Sequence, residues 1–161
     1  PFSWGSLAIG SVFLLYLFGG AASAASGRIM RRWGFLPALQ VMWLTLIAGV
    51  LCTLSSSLVL LLTGMALITL AFFAGHALAN SAVGLRSQGH QAMAAAIYLC
   101  CYYAGASAFG PLLGWVWHDQ QWSAVVVALV AAGFIGLWLT SRLGTTGILH
   151  YACAAFQKGS P

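Results

Sequence analysis

Residues 33–85 read WGFLPALQVMWLTLIAGVLCTLSSSLVLLLTGMALITLAFFAGHALANSAVGL and contain no Asp, Glu, Lys or Arg over 53 positions. A helix needs about 20 mostly apolar residues to cross a hydrocarbon core roughly 30 Å thick, so this run is long enough for two crossings. Its clearest polar break is Ser55-Ser56-Ser57. We therefore predict a helical hairpin with arms at 36–54 and 58–83. Pro37 falls near the start of the first arm, where its missing N–H costs nothing.

The composition of the whole chain indicates a membrane environment. Of 161 residues, 61% are hydrophobic and 4% are charged, whereas a soluble domain carries about 25% charged residues. The apolar runs are continuous and lack the alternating pattern of a membrane β-barrel. We therefore predict an all-α integral membrane protein and exclude a soluble fold.

Further apolar runs flank the hairpin. They predict three more spans at 2–26, 92–117 and 122–141, which gives about five transmembrane helices in total. The remaining residues, 143–161, are predicted to form a cytoplasmic tail, because the apolar part of this segment is too short to span a bilayer.

The basic residues all fall on one predicted side of the membrane. They follow the first, third and fifth spans, as Arg28, Arg31, Arg32, Arg86, Arg142 and Lys158. Lys and Arg near helix ends stay on the cytoplasmic side, which predicts an inner (plasma) membrane protein with a cytoplasmic carboxyl terminus and Pro1 outside. The only acidic residue, Asp119, lies in an opposite loop. The net charge of +5 therefore indicates the orientation of the chain in the membrane. We predict no nucleic-acid partner, because the sequence has no basic stripe.

The chain begins at Pro1 without a Met, a basic leader or a cleavage site. Because Pro1 is predicted to lie outside and the first span follows at once, we expect an odd number of helices to precede it in the complete protein. The alternative is an amino terminus that is translocated on its own.

Small residues recur at four-residue spacing within the spans, a pattern that lets membrane helices approach closely. The ladders and pairs are Gly19, Ser23 and Gly27; Ala106, Gly110 and Gly114; Gly75 with Ala79; and Ala132 with Gly136. We expect Pro111 to kink the fourth span, and Gly110 to admit the backbone of a close neighbour.

Polar side chains inside the spans are costly and often functional. His76 and Asn80 lie four residues apart on the third span. Two interpretations remain open: the pair serves as a proton relay or substrate contact, or it forms hydrogen bonds between helices. We favour the second interpretation. Tyr98 and Tyr102 are similarly spaced on the fourth span, and either line a cavity for aromatic or cationic substrates or simply pack.

A family resemblance is carried by GRIMRRWG, residues 27–34. This segment resembles the cytoplasmic loop motif of the major facilitator superfamily, Gly-x-x-x-Asp-Arg-x-Gly, which the family repeats after its second and eighth helices. Gly27, Arg32 and Gly34 match, while Arg31 stands at the acidic position. As the second copy, the motif would make these spans helices eight to twelve of twelve, and the loop would act as a gate on the cytoplasmic side.

A second resemblance is carried by GASAFGPLLG, residues 105–114. It looks like the Gly-x-x-x-x-Gly-Pro-x-x-Gly motif of antiporter-type members, with matches at Gly105, Gly110, Pro111 and Gly114. The family places that motif on helix five, and this span would be its counterpart, helix eleven. The stretches 72–76 and 98–105 also look like bacterial inner-membrane efflux permeases.

The resemblance implies alternating access, in which two six-helix halves rock about a substrate site between them. The partners would be a small-molecule substrate, protons, the lipid bilayer and the missing amino-terminal half. We predict no enzyme activity, cofactor or metal, since no carboxylate lies inside a span and phosphate loops are absent. Two alternatives remain: a self-contained five-helix assembly or structural protein, and an intramembrane serine protease with Ser107 as nucleophile and His76 as base.

Overall fold

The computed structural model describes residues 14–87 and 89–145, and every regular element within these ranges is an α-helix. Helix α1 is Leu15–Trp33, α2 is Phe35–Cys52 and α3 is Leu58–Arg86. Helical backbone then runs over Gln91–Thr145 and is interrupted at Gln121, whose φ of 66° and ψ of −176° are not helical. This break separates α4, Gln91–His118, from α5, Gln121–Arg142.

Four of these helices, α2 to α5, are long and apolar enough to cross a membrane, so the chain is a multi-pass membrane protein with an all-α fold. Helix α2 ends and α3 begins on either side of the serine turn, where the two arms of the hairpin were predicted. Residues 1–13, which include most of the outer half of the first predicted span, lie outside the described residues. The tail from residue 146 onward lies outside them as well.

The prediction that residues 27–34 form a loop is wrong. Helix α1 continues to Trp33, and Gly34 alone separates it from α2. Arg and Met are good helix formers and nothing in 28–33 breaks a helix, whereas Gly34 has a φ of 82°, which glycine adopts without steric cost. Its N–H bonds to the carbonyl oxygen of Met30 at 3.0 Å, closing the end of the helix. Pro37 lies in the first turn of α2, as predicted, where an N–H would have no intrahelical partner.

Helix α3 is central and packs against α1, α2 and the helices of 91–145. Its contact with α2 holds a small core of fully covered side chains, Ala38, Met42, Ala74 and Leu78. Residues of α1 pack against the same cluster. Because α3 touches every other part of the bundle, its side chains position any site between the helices.

Gly49 of α2 and Gly64 of α3 make a close crossing between two helices. A Cβ atom on Gly64 would lie 2.6 Å from the carbonyl oxygen of Gly49, and one on Gly49 would lie 2.9 Å from the carbonyl oxygen of Gly64. Neither glycine belongs to a four-residue ladder, so the spacing rule did not find this crossing. It brings backbone against backbone, as small residues allow in membranes.

Two of the predicted small residues do meet neighbours. A Cβ atom on Gly19 would lie 2.5 Å from the ring of Phe73, and one on Gly136 would lie 2.5 Å from the ring of Trp43. Both glycines therefore leave room for an aromatic ring close to the helix backbone.

The expected close neighbour of Gly110 is absent from the described chain. No heavy atom lies within 4 Å of a Cβ atom built on this residue, and every residue from 106 to 112 is exposed. The physical reason is that α4 packs on the other described helices through residues nearer its start, such as Tyr98 and Tyr102, which leaves the stretch 106–112 uncovered. Pro111 lies in helical backbone, and its kink stays a prediction.

A hydrogen bond ties the start of α5 to the end of α2. The indole N–H of Trp122 lies 3.2 Å from the hydroxyl oxygen of Thr53 and 3.3 Å from its carbonyl oxygen. The hydroxyl of Thr53 donates in turn to the carbonyl oxygen of Val50 at 2.6 Å. The loop that follows α2 is thus held against α5 by a chain of bonds.

Candidate functional site

A cavity of about 390 Å³ opens between α2, α3, α4 and α5. Its walls are mostly apolar, and six of its lining residues carry the chemistry: Trp43, Phe72, His76, Tyr98, Tyr102 and Thr140. We call this space the aromatic cavity. Two of its residue pairs, 72 with 76 and 98 with 102, are four positions apart, which places each pair on one face of its helix.

The rings of the aromatic cavity form one contact network centred on His76. Its ring centroid lies 4.9 Å from that of Tyr102, 5.3 Å from that of Tyr98 and 6.0 Å from that of Phe72. The imidazole and the Phe72 ring are nearly parallel, with 19° between their planes. Distances of 4.5–7 Å are those at which aromatic pairs attract, so α3 and α4 are joined here by ring contacts.

A hydrogen bond strengthens the same junction. The hydroxyl oxygen of Tyr98 lies 3.0 Å from Nδ1 of His76 and 3.4 Å from its backbone carbonyl oxygen. If Nδ1 carries no proton, it accepts the bond from the hydroxyl. If Nδ1 carries the proton, it donates to the hydroxyl oxygen, which can donate to the carbonyl. The pairing therefore survives in either tautomer.

The structure separates His76 from Asn80. Asn80 does not line the aromatic cavity but a second, more polar one of about 460 Å³, with Arg31 of α1 and Gln91 of α4. Four helical residues advance about 6 Å along the axis, enough to carry Asn80 into the next cavity. Its side-chain oxygen Oδ1 is buried without a hydrogen-bond partner, so the interhelical partner of His76 is Tyr98 and not a group beside Asn80.

Comparison with known proteins establishes the family. Over 143 residues, the chain is 34% identical to an uncharacterized MFS-type transporter of Bacillus subtilis, YybF, in an alignment of 89% of this chain and 35% of the relative. The chain belongs to the major facilitator superfamily. It is also 29% identical over 143 residues, 89% of the chain and 36% of the relative, to an uncharacterized transporter of Buchnera aphidicola subsp. Baizongia pistaciae. A shorter alignment of 76 residues, 45% of the chain and 18% of the relative, gives 38% identity to the inner membrane transport protein YnfM of Escherichia coli.

The chain spans about a third of the length of the Bacillus subtilis and Buchnera aphidicola relatives. No family profile matches the sequence. No solved structure matches it either.

The first superfamily motif lies at the junction of α1 and α2. Gly27 and Arg31 line the polar cavity, Arg32 is exposed on the last turn of α1, and Gly34 makes the turn. The single acidic residue of the chain, Asp119, follows the far end of α4, about 40 Å along that helix from Gln91. A carboxylate partner for Arg32 would therefore come from outside this chain, and its role in a gate stays a prediction.

The second superfamily motif lies on the uncovered face of α4. Gly105, Gly110 and Gly114 each have open space where a Cβ atom would stand, and Pro111 is exposed beside them. None of the motif residues lines the aromatic cavity. The motif and the cavity are thus separate features of the same helix.

Three important residues of the cavity were not predicted as site residues: Trp43, Phe72 and Thr140. The indole N–H of Trp43 donates to the hydroxyl oxygen of Thr140 at 3.2 Å, and that hydroxyl donates to the carbonyl oxygen of Gly136 at 2.8 Å. Trp43 carried a signal, since it is a tryptophan placed far from both ends of a predicted span, and Phe72 lies in the stretch 72–76 that resembles efflux permeases. Thr140 lies 97 residues away, and no local pattern connects the two.

The side chains that line the cavity are apolar and aromatic, with few polar groups. Within residues 14–87 and 89–145, no three His, Cys, Asp or Glu side chains come together as a metal site would require. Ser107 is exposed on α4 and does not line the cavity, whereas the hydrogen bond of His76 goes to Tyr98. The arrangement needed for a serine nucleophile with a histidine base is therefore not formed among the described residues.

Proposed function

We propose that this chain is part of a secondary transporter that exports small organic molecules across the inner membrane in exchange for protons. The observation that carries the proposal is the aromatic cavity, a space of about 390 Å³ between four apolar helices. Pockets of about 300–1,000 Å³ lined by apolar and aromatic groups are typical of small-molecule sites. The relatives are named transporters, and the antiporter-like residues Gly105, Gly110, Pro111 and Gly114 favour exchange.

The mechanism we propose is alternating access, in which two halves rock against each other and the aromatic cavity of this half takes up the substrate. This chain would provide helices eight to twelve, and the preceding helices would complete the transporter. The uncovered face of α4 supports such a partner, because residues 106–112 are exposed and include Gly110, which leaves room for another backbone. We propose no enzymatic step, cofactor or metal for this function.

Transport is tested in everted inner-membrane vesicles prepared from cells that express the complete gene. A pH gradient is imposed, a panel of neutral and cationic aromatic compounds is added, and proton movement is followed with a pH-sensitive dye. We expect at least one compound to accelerate collapse of the gradient in these vesicles compared with vesicles lacking the gene. No difference for any compound, together with no accumulation of the compounds, would count against a proton-coupled exporter.

Topology provides a second prediction, which rests on the positive-inside rule. We expect a cysteine introduced at Asp119 to react with a membrane-impermeant thiol reagent in intact cells, and one introduced at Arg31 to react only after the cells are opened. The native cysteines Cys52, Cys100, Cys101 and Cys153 are first replaced by serine. The reverse labelling pattern would refute both the orientation and the cytoplasmic placement of the carboxyl terminus.

The partner face of α4 gives a third prediction. Gly110→Leu meets no obstacle near its Cβ atom within the described chain, so it should leave these helices folded. If the remaining helices pack against this face, the added bulk should lower the export rate by about tenfold, equivalent to about 1.4 kcal/mol. Leu112→Phe adds bulk two residues away, at a side chain that is already large, and serves as the control. Export rates equal to wild type for both variants would show that this face has no close partner.

A further inference from the structure

We propose that the aromatic cavity binds uncharged, flat aromatic molecules that carry one hydrogen-bonding group. The inference rests on the proposed function in one respect, namely that the cavity is the substrate site of the transporter. It adds the chemical class of the substrate, and it assigns Trp43 as the fixed wall of the site.

The shape of the cavity is set by rings. Phe72, His76 and Tyr102 have centroids 4.9–6.2 Å apart, and Trp43 lies on α2 in the wall of the same cavity. Aromatic rings attract one another in stacked and edge-to-face arrangements. A flat aromatic ligand can use both kinds of contact, whereas a saturated molecule of the same volume makes only dispersion contacts.

Trp43 is held in place by its neighbours on α5. Gly136 leaves room for the indole, since a Cβ atom there would lie 2.5 Å from the ring. The hydroxyl of Thr140 accepts the indole N–H at 3.2 Å, and Thr140 is only 3% exposed. With both its ring and its N–H fixed, Trp43 forms a wall that is organised before a ligand binds, which lowers the entropic cost of binding.

Most polar groups around the cavity already have partners. The N–H of Trp43 is bonded to Thr140, the proton of Thr140 is bonded to Gly136, and the hydroxyl of Tyr98 is bonded to Nδ1 of His76. Nε2 of His76 and the hydroxyl of Tyr102 have no hydrogen-bond partner among the described residues. The rings that carry these two groups have centroids 4.9 Å apart, and each group is available to the polar group of a ligand.

The charges of the chain favour a neutral ligand. No Asp, Glu, Lys or Arg lines the aromatic cavity, and the only acidic residue, Asp119, follows the far end of α4. A cation would gain cation–π attraction from the rings, but removing an ion from water costs more than this attraction returns. Without a carboxylate to offset that cost, the uncharged molecule binds more tightly.

The compound series uses the complete gene product in lipid nanodiscs and tritiated 2-naphthol as the probe. Three competitors each change one property: naphthalene lacks the hydroxyl, decahydro-2-naphthol lacks the aromatic rings, and (2-naphthyl)trimethylammonium carries a positive charge. We expect 2-naphthol to bind about tenfold more tightly than each of them. Equal or tighter binding of the cation or of the saturated alcohol would overturn the inference.

Two neighbouring tyrosines provide matched variants. Tyr102→Phe removes a hydroxyl at the cavity, and we expect it to weaken binding of 2-naphthol by about three- to tenfold while leaving naphthalene unchanged. Tyr103→Phe removes the same atom from a side chain that is 63% exposed and outside the cavity, and we expect no change. The same loss in both variants would contradict the inference, and the compound series decides the question if Tyr102→Phe fails to fold.

The outcomes separate this inference from the proposed function. Binding in the expected order without any flux in vesicles would support the substrate class and refute transport. Flux of other compounds by a protein that does not bind 2-naphthol would support transport and refute the substrate class.

Discussion

Gly64→Ala is expected to destabilise the protein, although alanine is the better helix former. The new Cβ atom would lie 2.6 Å from the carbonyl oxygen of Gly49, and this oxygen belongs to backbone that cannot move without shifting α2. Overpacking of this kind typically costs about 1–3 kcal/mol, which exceeds the gain of about 1 kcal/mol in helix propensity. Thermal unfolding in detergent should therefore occur at a lower temperature than for wild type.

The matched control lies on the same helix. Gly84 has open space at the position of a Cβ atom, so Gly84→Ala should keep the propensity gain without a clash and unfold at the same or a higher temperature. The two variants carry the same chemical change on α3 with opposite expected signs. Stabilisation by both would show that the crossing of Gly49 and Gly64 is not close in the folded protein.

Gly136→Ala is expected to have the largest effect on substrate binding. Its Cβ atom would lie 2.5–2.7 Å from three carbon atoms of the Trp43 ring, and a rigid indole cannot yield as a flexible chain would. The ring should shift within the cavity and lose its bond to Thr140. We expect export of the best substrate to fall by about tenfold or more, since 1.4 kcal/mol, near the low end of overpacking costs, is a factor of ten.

Rescue by a smaller ring serves as the control for this variant. Trp43→Phe in the Gly136→Ala background removes the clashing part of the indole and should recover part of the lost export. A double-mutant cycle gives the coupling between the two positions. Additive effects, with no recovery, would contradict the assignment of Trp43 as a wall fixed by Gly136.

The length and polarity of the apolar runs were sufficient to predict most of the architecture. The serine turn at 55–57 and the break before Trp122 are visible because a membrane helix cannot tolerate many polar residues away from its ends. The end of α1 was misplaced because the arginines marked the membrane boundary, and a helix does not stop where the membrane stops. Only Gly34, with its φ of 82°, ends the helix.

The spacing of small residues along the sequence did not predict which helices pack together. Gly49 and Gly64 belong to no four-residue ladder and meet only through the tertiary fold, as do Trp43 and Thr140. The ladder of Ala106, Gly110 and Gly114 shows the opposite case. Small residues at four-residue spacing indicate that a helix can be approached closely, but they do not identify the helix that approaches. No described helix approaches Gly110 or Gly114 of α4.

The candidate site was partly predicted, because polar and aromatic residues inside a span are few and stand out. His76, Tyr98 and Tyr102 do line one cavity. Asn80 does not, since its position on α3 carries it toward Arg31 and Gln91. The sequence pattern identified residues that share a face of one helix. Which of these residues share a cavity depends on how the neighbouring helices pack against that face.

The central claim, that the aromatic cavity holds the substrate, is tested most directly by substrate protection. In a protein without native cysteines, Leu139→Cys places a thiol in the cavity wall, and Leu112→Cys places one on α4 outside it. The two leucines have nearly equal exposure within the described chain, 51% and 52%, and the rate of alkylation by N-ethylmaleimide at each position without compound serves as its own reference. The account predicts that an exported compound slows alkylation at position 139 and leaves position 112 unchanged. Export of that compound with no protection at position 139, or with equal protection at both positions, would contradict it.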